Sequence, residues 1–184
     1  MTQFEFFAVA VSIILALGIS RLLDGVLPSL HAARRYWVHF LWVLHKLINH
    51  IIWWWGTWSA NTFEGWNLAW FVWTLAGPIV LYLQATALVS TTPQDVESWE
   101  EHFFKIRKWF FSGNIAICGI LLVGRVASPD VEVPMVTIGL MALLVLGIIG
   151  VATDNRKAHG IIIAVALPIQ AIGLGAAMFN PGSY

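Results

Sequence analysis

Six apolar runs, each long enough to cross a bilayer as a helix, alternate with short segments rich in proline, glycine and charge. The hydrocarbon core of a membrane is roughly 30 Å thick and a helix rises about 1.5 Å per residue, so about 20 apolar residues suffice. The pattern predicts spans over residues 4–27, 36–58, 66–89, 109–126, 135–152 and 161–179. Pro28 is expected to break the first span and Pro78 to kink the third, since proline removes a backbone donor. Residues 93–108 form a shorter amphipathic stretch ahead of the fourth span. Thr92-Pro93 reads as its start, because threonine caps a helix and proline suits the first turn. Val96, Trp99, Phe103, Ile106 and Phe110 then share a face, with Asp95, Glu97, Glu100, Glu101, Lys105 and Lys108 mostly off it. Such a segment is expected to lie at the membrane interface. The expected fold is all-α: one transmembrane domain over residues 1–184, a six-span bundle with an interfacial helix.

The second run departs from the others. It carries His39, His45, Lys46, Asn49 and His50 inside an otherwise apolar helix. At roughly 100° per residue these five groups fall within an arc of about 140°, with Trp42 among them. Phe40, Leu41, Val43, Leu44, Leu47, Ile48, Ile51 and Ile52 cover the other side. Lipid cannot satisfy such a stripe, which must face protein, water or a ligand. Lys46 lies about 15 Å from the start of its span, too deep for its side chain to snorkel to the interface. No aspartate or glutamate is expected at that depth in any span. The amine therefore stays neutral, holds an anion or lines a wet cavity, or else it donates to helix carbonyls and Asn49 and only specifies packing.

Composition agrees with the span pattern: 59% of residues are hydrophobic and 11% charged, against about 25% charged in soluble domains. Ten basic and ten acidic residues balance, which gives no support for a nucleic-acid partner. The single cysteine, Cys118, excludes an intrachain disulfide and a CxxC motif. The opening MTQFEFF has no basic residue before its apolar run and carries Glu5 instead, so it reads as a retained first span rather than a signal peptide. Basic residues prefer the cytoplasmic side. With both termini outside, Arg21, Arg34, Arg35, Lys105, Arg107, Lys108, Arg156 and Lys157 all fall inside, while Glu64, Asp130 and Glu132 fall outside. Arg125 alone is on the disfavoured side, and Glu5 is its expected partner. Arg21 and Asp24, three apart on one helix face, are expected to pair as well.

No GxSxG, HExxH or P-loop motif is present, and no paired intramembrane carboxylates of the proton-relay kind. Enzymatic activity has no support in the sequence. Histidines raise the question of haem: His39 and His50 share a face about three turns apart, and imidazoles on two helices can ligate iron. No histidine–cysteine spacing suits zinc. Most of the eleven tryptophans cluster near span ends, as an aromatic belt does. Ala171 and Gly175 give the sixth span a small-residue face suited to close helix contact.

FEFFAVAVSIILALGISRLLDG, YWVHFLWVLHKL and HFFKIRKWFF resemble segments of small bacterial polytopic integral membrane proteins with no assigned activity. The resemblance implies a bacterial inner-membrane setting and transfers no functional residue. The leading expectation is a membrane protein that binds or passes a small solute, an anion first among them. Its site is Lys46 with Asn49, His45 and His50, bordered by His39 and Trp42. The alternatives are a non-catalytic scaffold or accessory subunit with a membrane-protein partner, and a haem- or quinone-binding redox protein. A homo-oligomer is expected because so small a bundle leaves much lateral surface against lipid.

Overall fold

The computed structural model describes residues 2–31, 35–127 and 134–179. Arg34, Asp130 and Glu132, used above for orientation, lie outside the described residues. All regular structure in the described residues is helical: α1 (Gln3–Leu30), α2 (Trp37–Gly56), α3 (Leu68–Leu88), α4 (Trp99–Ala127), α5 (Pro134–Ala152) and α6 (Arg156–Phe179), with two short 3-10 turns at Thr57–Thr62 and Pro93–Asp95.

Local chemistry fixes the helix starts. Thr2 opens α1 with a capping box: its hydroxyl accepts from the Glu5 amide at 3.1 Å, and its own amide donates to the Glu5 carboxylate at 2.8 Å. Asn67 caps α3 by accepting from Trp70 N, and Asn155 caps α6 by accepting from Lys157 N. Two expectations change here. α1 runs through Pro28 to Leu30 rather than ending at it. A proline in the last turn costs one amide near a helix end, and its carbonyl is used twice, by His31 N and by the Trp99 indole at 2.9 Å. The helix expected to start at Pro93 opens instead at Trp99 and continues unbroken through the fourth span. Ser98 is the capping residue, accepting from Glu101 N at 3.3 Å. Ser98-Trp99-Glu100-Glu101 is the serine-x-x-glutamate pattern of a helix start, a stronger signal than Thr92-Pro93. At 29 residues, α4 is about 43 Å long, so it overruns a hydrocarbon core by two turns or more.

Among the described residues, five helices are long and apolar enough to cross a membrane: α1, α3, α4, α5 and α6. The chain has the character of a polytopic membrane protein. Its outward surface is widely apolar, with Ile13, Leu17, Val72, Leu83, Ile138 and Val145 among many exposed large side chains, far beyond the patches a soluble monomer shows. α2 is less apolar than these five because of its polar stripe. That stripe is nevertheless the helix's inner face. His39, Trp42, His45, Lys46 and His50 are buried, while Ile51, Trp54 and Trp55 are exposed.

α1 packs on α2 and α3, α3 on α4, α4 on α5, α5 on α6, and α6 back on α2, which also reaches α3 and α4. This surround lets α2 be polar, since other helices occupy its polar side. Trp42, Val43, Trp99, Phe103, Phe110, Phe111 and Ile163 form the larger core, and Phe7, Val11, Leu15 and Leu81 a smaller one between α1 and α3. Close helix contact uses Gly18, Gly25, Gly77, Gly113 and Gly150, where an added Cβ would meet a neighbouring side chain at under 3 Å. The small face of α6 does not serve this purpose within the chain. A Cβ at Gly175 would meet nothing within 4 Å, and Ala171 is exposed.

Candidate functional site

The α2 stripe divides among three neighbours according to height along the helix. At the first level His39, fully buried, ties three helices together. Its Nε2 donates to Leu88 O on α3 at 2.9 Å, its Nδ1 lies 3.4 Å from Ser29 Oγ on α1, and its ring stacks on Trp99 of α4 with centroids 4.5 Å apart. His102 adds a second imidazole on the same α3 end, donating to Ala87 O and Leu88 O. Carbonyls at a helix end lack amide partners, and these two rings satisfy them. Both nitrogens of His39 are engaged, so it offers no lone pair to a metal.

Mid-helix, His45 and Asn49 turn toward α6. Gln170 Nε2 donates to His45 O at 2.8 Å and to Asn49 Oδ1 at 2.6 Å, and Asn49 Nδ2 lies 3.3 Å from His45 Nδ1. Because Asn49 Oδ1 is the acceptor for Gln170, Asn49 Nδ2 is a donor and His45 Nδ1 must accept. The His45 proton is therefore on Nε2, which is buried and makes no hydrogen bond. Trp42 Nε1–H is in the same position: buried and without an acceptor. The Trp42 and His45 rings are 4.9 Å apart.

Lys46 faces α4. It is 2% exposed, with its Nζ 5.5 Å from the centroid of the Phe110 ring, against which Trp42 also packs at 5.0 Å. No described carboxylate, carbonyl or amide oxygen accepts a hydrogen bond from that Nζ. One turn on, His50 donates from Nδ1 to Lys46 O at 2.7 Å. Its Nε2 then carries a lone pair, buried and unpartnered, and is seated against Gly18 of α1. Across the interface Gln84 of α3 donates to Phe110 O and Asn114 Oδ1, both at 2.8 Å, and keeps Oε1 unpartnered. The layer therefore holds three N–H donors lacking acceptors (Trp42, His45, Lys46) and two lone pairs lacking donors (His50, Gln84). Buried polar groups are normally paired, so four unpaired atoms near one lysine, on Trp42, His45, His50 and Gln84, mark a place apart from ordinary packing.

The expected stripe is thus brought to the bundle interior, but not as one cluster. His39 belongs to a separate staple, and Asn49 is used by α6. Gln84, Gln170 and Phe110 are the partners that a reading centred on α2 underweights. A glutamine midway along an apolar run was the available signal for two of them.

Arg107, buried on α4, forms an ion pair with Asp154 and donates to Val151 O at 2.8 Å. Arg156 pairs with Glu100 at 2.5 Å. Glu5 lies in the first turn of α1 and Arg125 in the last turn of α4. Arg21 is half-buried and Asp24 exposed, one turn apart, and these two described residues make no ion pair with each other. Among the described residues no group of three or more histidine, cysteine or acidic side chains could hold a metal ion. A surface groove of about 340 Å³ lies away from Lys46, between α3 and the end of α4, lined by Asn67, Ala69, Trp70, Trp73, Val123 and Gly124. Comparison of the chain with protein-family models, curated proteins and solved structures finds no match.

Proposed function

We propose that the protein binds a small anion in the membrane interior, at Lys46 on α2, and passes it across. The observation that carries this reading is the lysine itself. It is buried at the middle of a 20-residue helix with its amine over the Phe110 ring, and two N–H donors within four residues of it, on Trp42 and His45, lack acceptors. An anion at the Lys46 amine supplies that amine with an acceptor. In a medium of low dielectric one positive charge without a counter-charge attracts an anion strongly, which is how rings of basic side chains select anions in pores. Cations have no such site here, since no carboxylate reaches this depth among the described residues.

The reading takes α2 as a sixth span, surrounded by the five more apolar helices, with both termini outside and the basic ends of α4 and α6 in the cytoplasm. The sequence resemblance supports a bacterial inner membrane. Lateral surface on α5 and α6, apolar and with open space over Gly173 and Gly175, suits a homo-oligomer.

The test is nitrate and chloride flux into proteoliposomes, comparing wild type with Lys46→Met and with empty liposomes. Flux above the empty control that falls at least tenfold in the variant is expected; flux unchanged by Lys46→Met would refute the site.

A second reading has its own support. Gln170, Asn49, His39 and His102 all make bonds between helices, which is what a non-catalytic scaffold needs to fix its shape for a membrane-protein partner. A stoichiometric partner recovered with the purified protein, together with absent flux, would favour it.

A further inference from the structure

We infer that Lys46 takes up an anion and a proton together, so that the buried layer is electrically neutral both empty and occupied. This deepens the anion-binding reading and rests on it; what it adds is the coupling.

Placing an ion in a low-dielectric interior costs several kcal/mol even after the surroundings relax. A site with a nearby carboxylate can hold its lysine charged at all times. This one has none: the titratable groups facing Lys46 are His45 and His50 on its own helix and Cys118 on α4. The other elements bring uncharged groups to this layer. α3 presents Gln84, α6 presents Gln170 to His45 and Asn49, α4 adds the Phe110 ring, and α1 presents Gly18 to His50. With these neighbours the empty site is neutral when the lysine is an uncharged amine. An anion arriving alone would then be an unpaired buried charge, and a proton arriving alone would leave an unpaired ammonium. Together they form an ion pair of zero net charge.

The balance is R–NH2 + H⁺ + X⁻ → R–NH3⁺···X⁻. No covalent bond other than N–H forms, and the proton comes from the same aqueous phase as the anion. The neutral donors complete the site. Trp42 Nε1–H and His45 Nε2–H, within four residues of Lys46 on the same helix, have no acceptor, so the donors nearest the amine along the helix are uncharged. Binding is then linked to pH through the proton taken up, and passage of the pair across the membrane moves no net charge.

Nitrate is the probe, because the anion of a strong acid has no neutral form that leaks through lipid. Its binding to purified wild-type protein in detergent is measured calorimetrically in two buffers of different ionisation enthalpy at one pH. About one proton taken up per nitrate is expected, as is unchanged nitrate uptake into proteoliposomes when potassium and valinomycin set the membrane potential. Lys46→Arg, whose guanidinium keeps its proton, is expected to bind nitrate with no proton uptake, and Cys118→Ala to leave the proton count as in wild type. Should Lys46→Arg fail to fold, the wild-type proton count alone decides. Nitrate bound in a Lys46-dependent manner without proton uptake, or flux that follows the potential, would overturn the coupling and leave the anion site standing. Absence of Lys46-dependent nitrate binding would overturn both.

Discussion

Gly18→Ala tests how tightly the polar layer is built. A Cβ at Gly18 would lie 2.3 Å from His50 Nε2 and 2.8 Å from its Cδ2, where ordinary contact begins at 3.4 Å. The ring must therefore retreat by about 1 Å or α1 must move out by as much. His50 is fully buried and its Nδ1 is held on Lys46 O at 2.7 Å, so a retreat of that size takes the bond out of range. Overpacking of this kind costs about 1–3 kcal/mol, and a side-chain hydrogen bond inside a membrane bundle about 0.6–1.7 kcal/mol. The expected loss is about 2–4 kcal/mol in the free energy of unfolding, read by titrating the detergent-solubilised protein with a denaturing detergent. The cause is checked by repeating the change in a His50→Ala background. With the ring gone, the added methyl should cost little, giving a coupling of more than about 1 kcal/mol between the two positions. If Gly18→Ala alone stays within about 0.5 kcal/mol of wild type, the contact between α1 and the histidine is not the constraint described here.

Two further changes separate the parts of the bundle. Gln170→Leu removes the bonds to His45 O and Asn49 Oδ1 while keeping side-chain volume. It should cost about 1–2 kcal/mol in the same titration and release α6, seen as faster amide exchange there; an unchanged exchange pattern would count against this tie. At the other end Arg107 and Asp154 differ in weight although they pair. Asp154 is 80% exposed on its side chain and Arg107 only 6%, so Asp154→Asn should cost no more than about 1 kcal/mol. Arg107→Met should cost more than Asp154→Asn, because it also abandons the Val151 carbonyl at the end of α5; equal losses would mean that the ion pair alone matters.

What the sequence discloses of this protein depends on the range of the forces involved. Span existence follows from hydropathy summed over about 20 residues, so α1, α3, α5 and α6 are legible within a few residues. The start of α4 is not legible in the same way, because two capping signals compete within seven residues and only packing chooses between them. Trp99 must reach the Pro28 carbonyl and stack on His39, which requires the helix to begin there. Pro28 suggests a break because a proline's local penalty is visible in sequence, whereas the indole that uses its carbonyl is 71 residues away.

The stripe on α2 shows the same division more sharply. Periodicity alone gathers His39, Trp42, His45, Lys46, Asn49 and His50 on one side, and burial of that side follows from the cost of polar groups in lipid. Their roles do not follow, because each depends on what the facing helix offers at that height. Leu88 O gives His39 a bond, Gln170 gives Asn49 one, and α4 gives Lys46 the Phe110 ring and the Cys118 thiol. If polarity on α2 served packing alone, α4 would be expected to offer Lys46 an acceptor, as α6 and α3 do for their histidine and amide neighbours. Asn114 stands on the same helix, yet its oxygen is committed to Gln84. The bundle thus gives His45, Asn49 and His50 at least one side-chain hydrogen bond each and gives the lysine amine an aromatic ring instead, and that asymmetry separates a binding layer from a merely polar core.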